Sequence, residues 1–312
     1  MMFKNSTKLL IANFSIVWKL ILYYVLVAGI TIGLIAPFFG EIATHFNASG
    51  TLSEIGNILT HFNVSVNPFT LVGEISQVVL KLVELAFTFF VANPVIATYL
   101  TIVIFYVFPF LLGLKDLPIA QTLFGYMSSL TRYNFVGAFM RLFGRSVRYS
   151  LFKSLIMLPF NLLICIVFVL TLKLTAIGGI ISYFLPFILV AIILLLASLK
   201  KTIFAGWTPA KVVYDCNMFK AFRKGFKAVC RRFLKVFSTA LVITLLCAAV
   251  NYLFGTFAFP IIIPFFAGAF HVFEMVMFYG SQGMRYYVDL DTIISPKRLE
   301  ENDSFKKVKN II

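Results

Sequence analysis

Long apolar runs alternate with short charged stretches along this chain. Six runs reach about 18 residues or more, the length a helix rising 1.5 Å per residue needs to cross a hydrocarbon core of roughly 30 Å. They fall at about 19–39, 83–112, 154–172, 180–199, 236–254 and 259–280. None shows the strict polar/apolar alternation of a membrane strand, and helices satisfy their own backbone groups, so the pattern predicts an all-α, polytopic membrane helical bundle. Residues 1–284 read as a single six-span transmembrane domain. Residues 285–312, mixed in charge after "SPKRLEEND", read as a short cytoplasmic tail.

Within the runs, Asn93-Pro94 and Pro109 interrupt the second span. Proline removes a backbone donor and crowds the preceding turn, so a kink is expected at each, which either opens a cavity or lets a long helix tilt. Lys4, Lys8 and Lys19 ahead of the first run superficially resemble a signal peptide, but the run is too long and no clean small-x-small site follows, so it reads as a retained span. Asn93, Asn161 and Asn251 are expected to hydrogen-bond between helices, and Gly268 and Ala269 to permit close approach. Trp18 and Trp207, near span ends, fit interface anchors.

Composition agrees with the pattern. Hydrophobic residues make up 61% and charged ones 12% of 312 residues, with a mean hydropathy of +0.96, leaving too little polar surface for a water-soluble globule. The net charge of +15 is unevenly spread. Residues 40–80 contain no lysine or arginine but carry Glu41, Glu54 and Glu74, and the turn "GTFAFP" is uncharged. Residues 113–153 instead hold Lys115, Arg132, Arg141, Arg145, Arg148 and Lys153 against Asp116 alone, and 200–235 are similarly basic against Asp215. Basic connections stay cytoplasmic, which places both termini on the cytoplasmic side of the membrane. Four scattered cysteines and the histidines His45, His61 and His271 form no zinc pattern and imply no disulfide, metal or cofactor. No GxSxG, GxxxxGK[ST] or HExxH motif occurs, so no enzyme is expected and no catalytic residue is assigned.

The two basic connections are related. "NFVGAFMRLFGRSVRYSLFK" (134–153) and "NMFKAFRKGFKAVCRRFLKV" (217–236) align without gaps, pairing Asn134 with Asn217, Ala138 with Ala221, Phe139 with Phe222, Arg141 with Lys224, Phe143 with Phe226, Arg148 with Arg231 and Leu151 with Leu234. Each precedes a helical hairpin, and "FKNSTKLLIANFSIVWKLILYY" at the amino terminus is a candidate third, shorter copy of this repeat. On a helical wheel, Arg141, Arg145 and Arg148 oppose Phe135, Phe139, Leu142, Phe143 and Val147, while Lys220, Arg223, Lys224, Lys227 and Arg231 oppose Phe219, Phe222, Phe226, Val229 and Phe233. Such segregation suits a helix lying in a membrane interface, its cations among anionic phospholipid headgroups. Plain topological flanks are the alternative. Nucleic acid would need exposed aromatic platforms or base-reading side chains beside the phosphate contacts.

His271 and Glu274, three apart on one helical face of the sixth span, are the remaining candidate site. Such a pair either exchanges protons or holds a cation, or ties statically to an arginine of a basic helix.

The order of basic helix, hairpin, basic helix, hairpin and the exit "GMRYYVDLDTIISPKRLEE" resembles six-span bacterial membrane proteins, a group that includes the membrane domain accompanying some glycerophosphodiester phosphodiesterases. The resemblance rests on layout, implies a bacterial plasma-membrane location and carries no functional residue. The reading that follows is a multi-pass protein engaging anionic lipid, or a membrane-protein partner, in envelope maintenance, lipid handling or membrane-protein assembly. A small transporter or channel using His271 and Glu274 is the alternative.

Overall fold

The computed structural model describes residues 2–48, 50, 53, 81–129, 134–175, 180–254 and 259–281. The expected tail, the turn "GTFAFP" and most of the 40–80 connection lie outside them. Every regular element among the described residues is helical. They are α1 (Met2–Ala12), α2 (Ser15–Ile35), α3 (Phe39–Ala48), α4 (81–92), α5 (Pro94–Ile102), α6 (Phe108–Gly113), α7 (Asp116–Ser129), α8 (Phe135–Thr175), α9 (Ile180–Phe204), α10 (Trp207–Tyr214), α11 (Met218–Cys230), α12 (Phe233–Phe254) and α13 (Phe259–Ser281). Six stretches are long and apolar enough to cross a membrane: Ser15–Ala48, Pro94–Ser128, Phe135–Thr171, Phe187–Tyr214, Phe233–Asn251 and Pro260–Gly280.

Proline chemistry divides the second run as the sequence suggests. Asn93 leaves helical geometry, at φ −127° and ψ 69°, and Pro94 starts α5 at a position where its missing N–H costs nothing. The apolar stretch therefore begins at Pro94 rather than at residue 83. Ahead of Pro109 the chain widens into a π-helical turn, Val103–Val107, which accommodates the lost donor before α6 resumes.

The two basic stretches then part company. Residues 134–153 open α8, which runs for 41 residues, about twice the length needed to cross the hydrocarbon. The second stretch stops at a two-residue turn, Arg231–Arg232, separating α11 from α12.

The chain forms two compact units, residues 1–27, 110–153 and 197–312 in one and residues 28–109 and 154–196 in the other. In the second unit, Tyr99 Oη donates to the Leu34 carbonyl at 3.1 Å and its ring lies 5.1 Å from that of Phe38.

In the first unit α13 is central. Residues 270–279 are buried on all sides, as expected of a helix apolar around its circumference. One face, Val272, Met275, Val276 and Tyr279, packs with Leu9, Leu10, Val17, Leu20, Ile119 and Leu123. A second, Phe270, Phe273 and Met277, packs with Ala205, Val229, Val236, Ala240 and Ile243. A third carries His271, Glu274 and Phe278. Close approach at Gly268 is real, because a Cβ there would lie 3.1 Å from Leu20 Cδ1.

Two other expectations change. Trp207 is buried rather than anchored at an interface: it packs edge-on against Tyr149, Phe152 and Phe222, stacks on Phe204, and donates Nε1–H to the Met218 carbonyl at 3.2 Å. Asn93 and Asn251 bond within their own helices, to the Phe89 and Cys247 carbonyls, because a short amide reaches the preceding turn more easily than a neighbour.

Beneath Trp207, α10 and α11 touch backbone to backbone at Gly206 and Gly225. A Cβ on either glycine would collide with the carbonyl of the other, a rigid obstacle. G206A and G225A are each expected to force the helices apart and cost about 1–3 kcal/mol. G144A, where a Cβ meets nothing, is expected to raise stability by about 0.5–1 kcal/mol. Thermal unfolding of the purified variants in detergent reads both effects.

Candidate functional site

The site is built where α6 ends. Gly113 closes the helix, Leu114 and Lys115 turn, and α7 starts at Asp116. Ending a helix leaves carbonyls without partners. Here three consecutive ones are satisfied by side chains: Ser150 Oγ donates to the Phe110 carbonyl, Tyr23 Oη to that of Leu111, and Lys115 Nζ to that of Leu112 at 3.0 Å. Gly113 is required because a Cβ would occupy the Ser150 hydroxyl. The ammonium at the end of one helix and the carboxylate in the first turn of the next both suit the helix dipoles.

Five ionisable groups meet at this turn. Asp116 Oδ2 accepts from Lys153 Nζ at 2.6 Å, and Oδ1 accepts from Lys115 Nζ at 3.2 Å. His271 Nε2 lies 3.4 Å from Asp116 Oδ1 and 3.5 Å from Lys115 Nζ, while Nδ1 lies 3.1 Å from Glu274 Oε2. Asp116, Lys115 and Glu274 are at most 4% exposed and His271 is 9% exposed. Aromatic rings close the perimeter: Lys115 Nζ sits 5.3 Å from the centre of the Tyr24 ring and Lys153 Nζ 5.6 Å from that of Tyr149, whose hydroxyl bonds Thr208 Oγ1 at 2.8 Å.

Two carboxyl groups, two ammonium groups and an imidazole thus share a buried site. The structure brings His271 and Glu274 together as the spacing suggests. The cations beside them are Lys115 and Lys153 rather than the expected arginine, because the arginines of the two basic stretches are exposed while these lysines are buried. Both Asp116 oxygens are taken by ammonium groups. Among the described residues, no three His, Cys, Asp or Glu side chains gather where they could hold a metal ion. The arrangement sets the imidazole between Glu274 at Nδ1 and both Asp116 and Lys115 at Nε2.

The basic residues lie elsewhere. Arg141, Arg145 and Arg148 are exposed along α8, and Lys220, Arg223, Lys224, Lys227 and Arg231 are exposed on and just beyond α11. Arg145 reaches Asp215 at 3.3 Å, and Lys211 approaches the same carboxylate at 3.6 Å. Asp215 has φ +38°, a left-handed conformation that aspartate tolerates better than most side chains. Lys224 Nζ lies 3.8 Å from the centre of the Tyr214 ring.

Lys115, Asp116 and Lys153 read in the sequence only as topological charges. Their signal is local: Lys115 and Asp116 stand side by side within the apolar "FLLGLKDLPIA", where a solvated connection would carry more polar neighbours. No protein-family model, curated protein or solved structure matches this chain.

Removing the central carboxylate is the sharpest test of the cluster. D116N leaves Lys115 and Lys153 buried without their shared counter-ion, and a destabilisation of about 3–5 kcal/mol is expected. E274Q should cost clearly less, because an amide oxygen still accepts a proton from His271 Nδ1. Thermal unfolding of both variants in nanodiscs gives the comparison, and equal losses would contradict the central place of Asp116.

Proposed function

We propose that this chain is a multi-pass bacterial inner-membrane protein that engages anionic phospholipid on its cytoplasmic side through its basic helices. It serves envelope maintenance, lipid handling or the assembly of other membrane proteins, and it does so without catalysis. The observation that carries this reading is how α11 is docked. Its buried stripe consists of small residues and one valine, Ala221, Gly225, Ala228 and Val229. Its cations and two of its rings therefore point outward together: Phe219 is 70% and Phe226 43% exposed, interleaved with exposed Lys220, Arg223, Lys224 and Lys227. Exposed rings flanked by cations, with no acid in the helix, suit an acyl boundary beneath anionic headgroups, where each basic side chain contributes about 1 kcal/mol.

The aligned stretch on α8 supports an internal repeat of the same device. Asn134 and Asn217 are exposed, Ala138 and Ala221 buried, Phe139 and Phe222 half-buried, and Arg141 and Lys224, Phe143 and Phe226, Arg148 and Arg231, and Leu151 and Leu234 exposed, pair by pair. At the amino terminus, α1, the turn Asn13–Phe14 and α2 follow the same order as α11, Arg231–Arg232 and α12. The layout resembles that of the six-span group containing the phosphodiesterase-associated membrane domain, and we assign the chain the same location. Basic residues concentrate in 113–153 and 200–235, which supports a cytoplasmic side for those connections and both termini.

Cys230 is exposed at the end of α11 and makes the reading testable. In a C165A/C216A/C247A background, a fluorophore on Cys230 should be quenched more strongly by spin-labelled phosphatidylglycerol than by spin-labelled phosphatidylcholine in nanodiscs. K220Q/R223Q/K224Q/K227Q should abolish the difference. Equal quenching by the two lipids would remove the lipid role. In the same background, a membrane-impermeant maleimide should label Cys230 in inverted vesicles and not in intact cells; labelling in cells would reverse the orientation.

A further inference from the structure

His271 has one partner at Nδ1 and two competing ones at Nε2. Glu274 Oε2 lies 3.1 Å from Nδ1, while Lys115 Nζ and Asp116 Oδ1 lie 3.5 and 3.4 Å from Nε2. An ammonium group only donates, so a neutral ring facing Lys115 presents the Nε2 lone pair and carries its single proton on Nδ1, donated to Glu274. In that state Lys115 and Lys153 both donate to Asp116. A proton arriving at Nε2 leaves nothing there for Lys115 to bond. Asp116 Oδ1, at nearly the same distance, becomes the acceptor.

We propose that His271 is a proton-binding site that selects between two bonding patterns. Neutral, it links α13 to Lys115; protonated, it gives up that hydrogen bond and forms an ion pair with Asp116, while Nδ1–H stays on Glu274. One N–H bond forms with a proton taken from solvent, no covalent bond in the protein breaks, and the cluster gains one positive charge. Asp116 keeps its two ammonium partners and Glu274 keeps Nδ1–H as its donor throughout.

Every element around the imidazole contributes to this balance. Lys115 comes from the turn, Asp116 from α7, and Lys153 and Tyr149 from α8. Glu274 comes from α13 itself. Tyr24 of α2 lies under Lys115, and Tyr23 acts electrostatically on Asp116. From α9, Lys201 acts on Glu274 and Lys200 on Lys153; Lys201 Nζ also donates to Thr244 Oγ1 of α12 at 3.3 Å. Phe270 and Phe273, flanking His271, pack in the cluster that contains Val229 of α11, so the bonding state of the imidazole is set within the same core that seats the basic helix. The proposal stands independently of lipid engagement.

The test is nitrogen NMR on the full chain in nanodiscs, with 15N-labelled histidine and H45N/H61N making His271 the only imidazole. The expected spectra of acidified and alkaline samples differ, the first showing both nitrogens protonated and the second a neutral ring protonated at Nδ1 and bare at Nε2. K115M should move the neutral-state proton to Nε2, toward Asp116. A neutral ring protonated at Nε2 in the protein that retains Lys115, or an imidazole in the same state in acidified and alkaline samples, overturns the proposal whatever K115M does.

Discussion

Burying Asp116 at the end of an apolar helix is the constraint around which the first unit is arranged. A lone carboxylate in that position would be prohibitively costly, so it must be met by cations that are themselves buried. Lys115 supplies one from the adjacent residue. Lys153, 37 positions along the chain, supplies the other at 2.6 Å. Those two contacts fix α8 against the turn between α6 and α7. They also leave one side of Asp116 open to α13, where His271 completes the set.

Close packing is what makes such a network tolerable. The ammonium groups lie near the Tyr24 and Tyr149 rings, and the helix-end carbonyls take the remaining donors, so polar groups that would otherwise lose water find fixed partners. Glycine permits that proximity twice. Gly113 leaves space for the Ser150 hydroxyl that satisfies Phe110, and Gly206 and Gly225 let α10 and α11 touch directly. Side-chain volume at any of these positions would separate the elements that seal the cluster.

The sequence makes the apolar stretches legible because their length is dictated by the hydrocarbon they cross. The interruption at Asn93-Pro94 is legible for the same kind of reason, since proline acts through its own backbone. The pairing of His271 with Glu274 follows from helical spacing alone. What periodicity cannot supply is which face meets which: Lys115 and Lys153 look like ordinary flanking charges until folding turns them inward. Trp207 misleads in the opposite direction, because a tryptophan near a span end suits an interface equally well as a core, and only the rings of Tyr149, Phe152, Phe204 and Phe222 decide between them. The same holds for α11, whose wheel places aromatic residues opposite the cations, whereas its contact face is set by the small residues that allow two backbones to meet.

The cations of this chain therefore fall into two populations with opposite physics. Lys115 and Lys153 are buried and held by short contacts to Asp116; their charge is spent within the protein. Lys220, Arg223, Lys224 and Lys227 are exposed on a helix without acids, and the nearby Asp215 is engaged by Arg145 and Lys211. Their field is uncompensated locally and extends about a Debye length into whatever lies beside them. A protein that neutralises its inner cations so completely while leaving a row of outer ones beside exposed Phe219 and Phe226 has separated the charges that hold the fold from those available to an external partner.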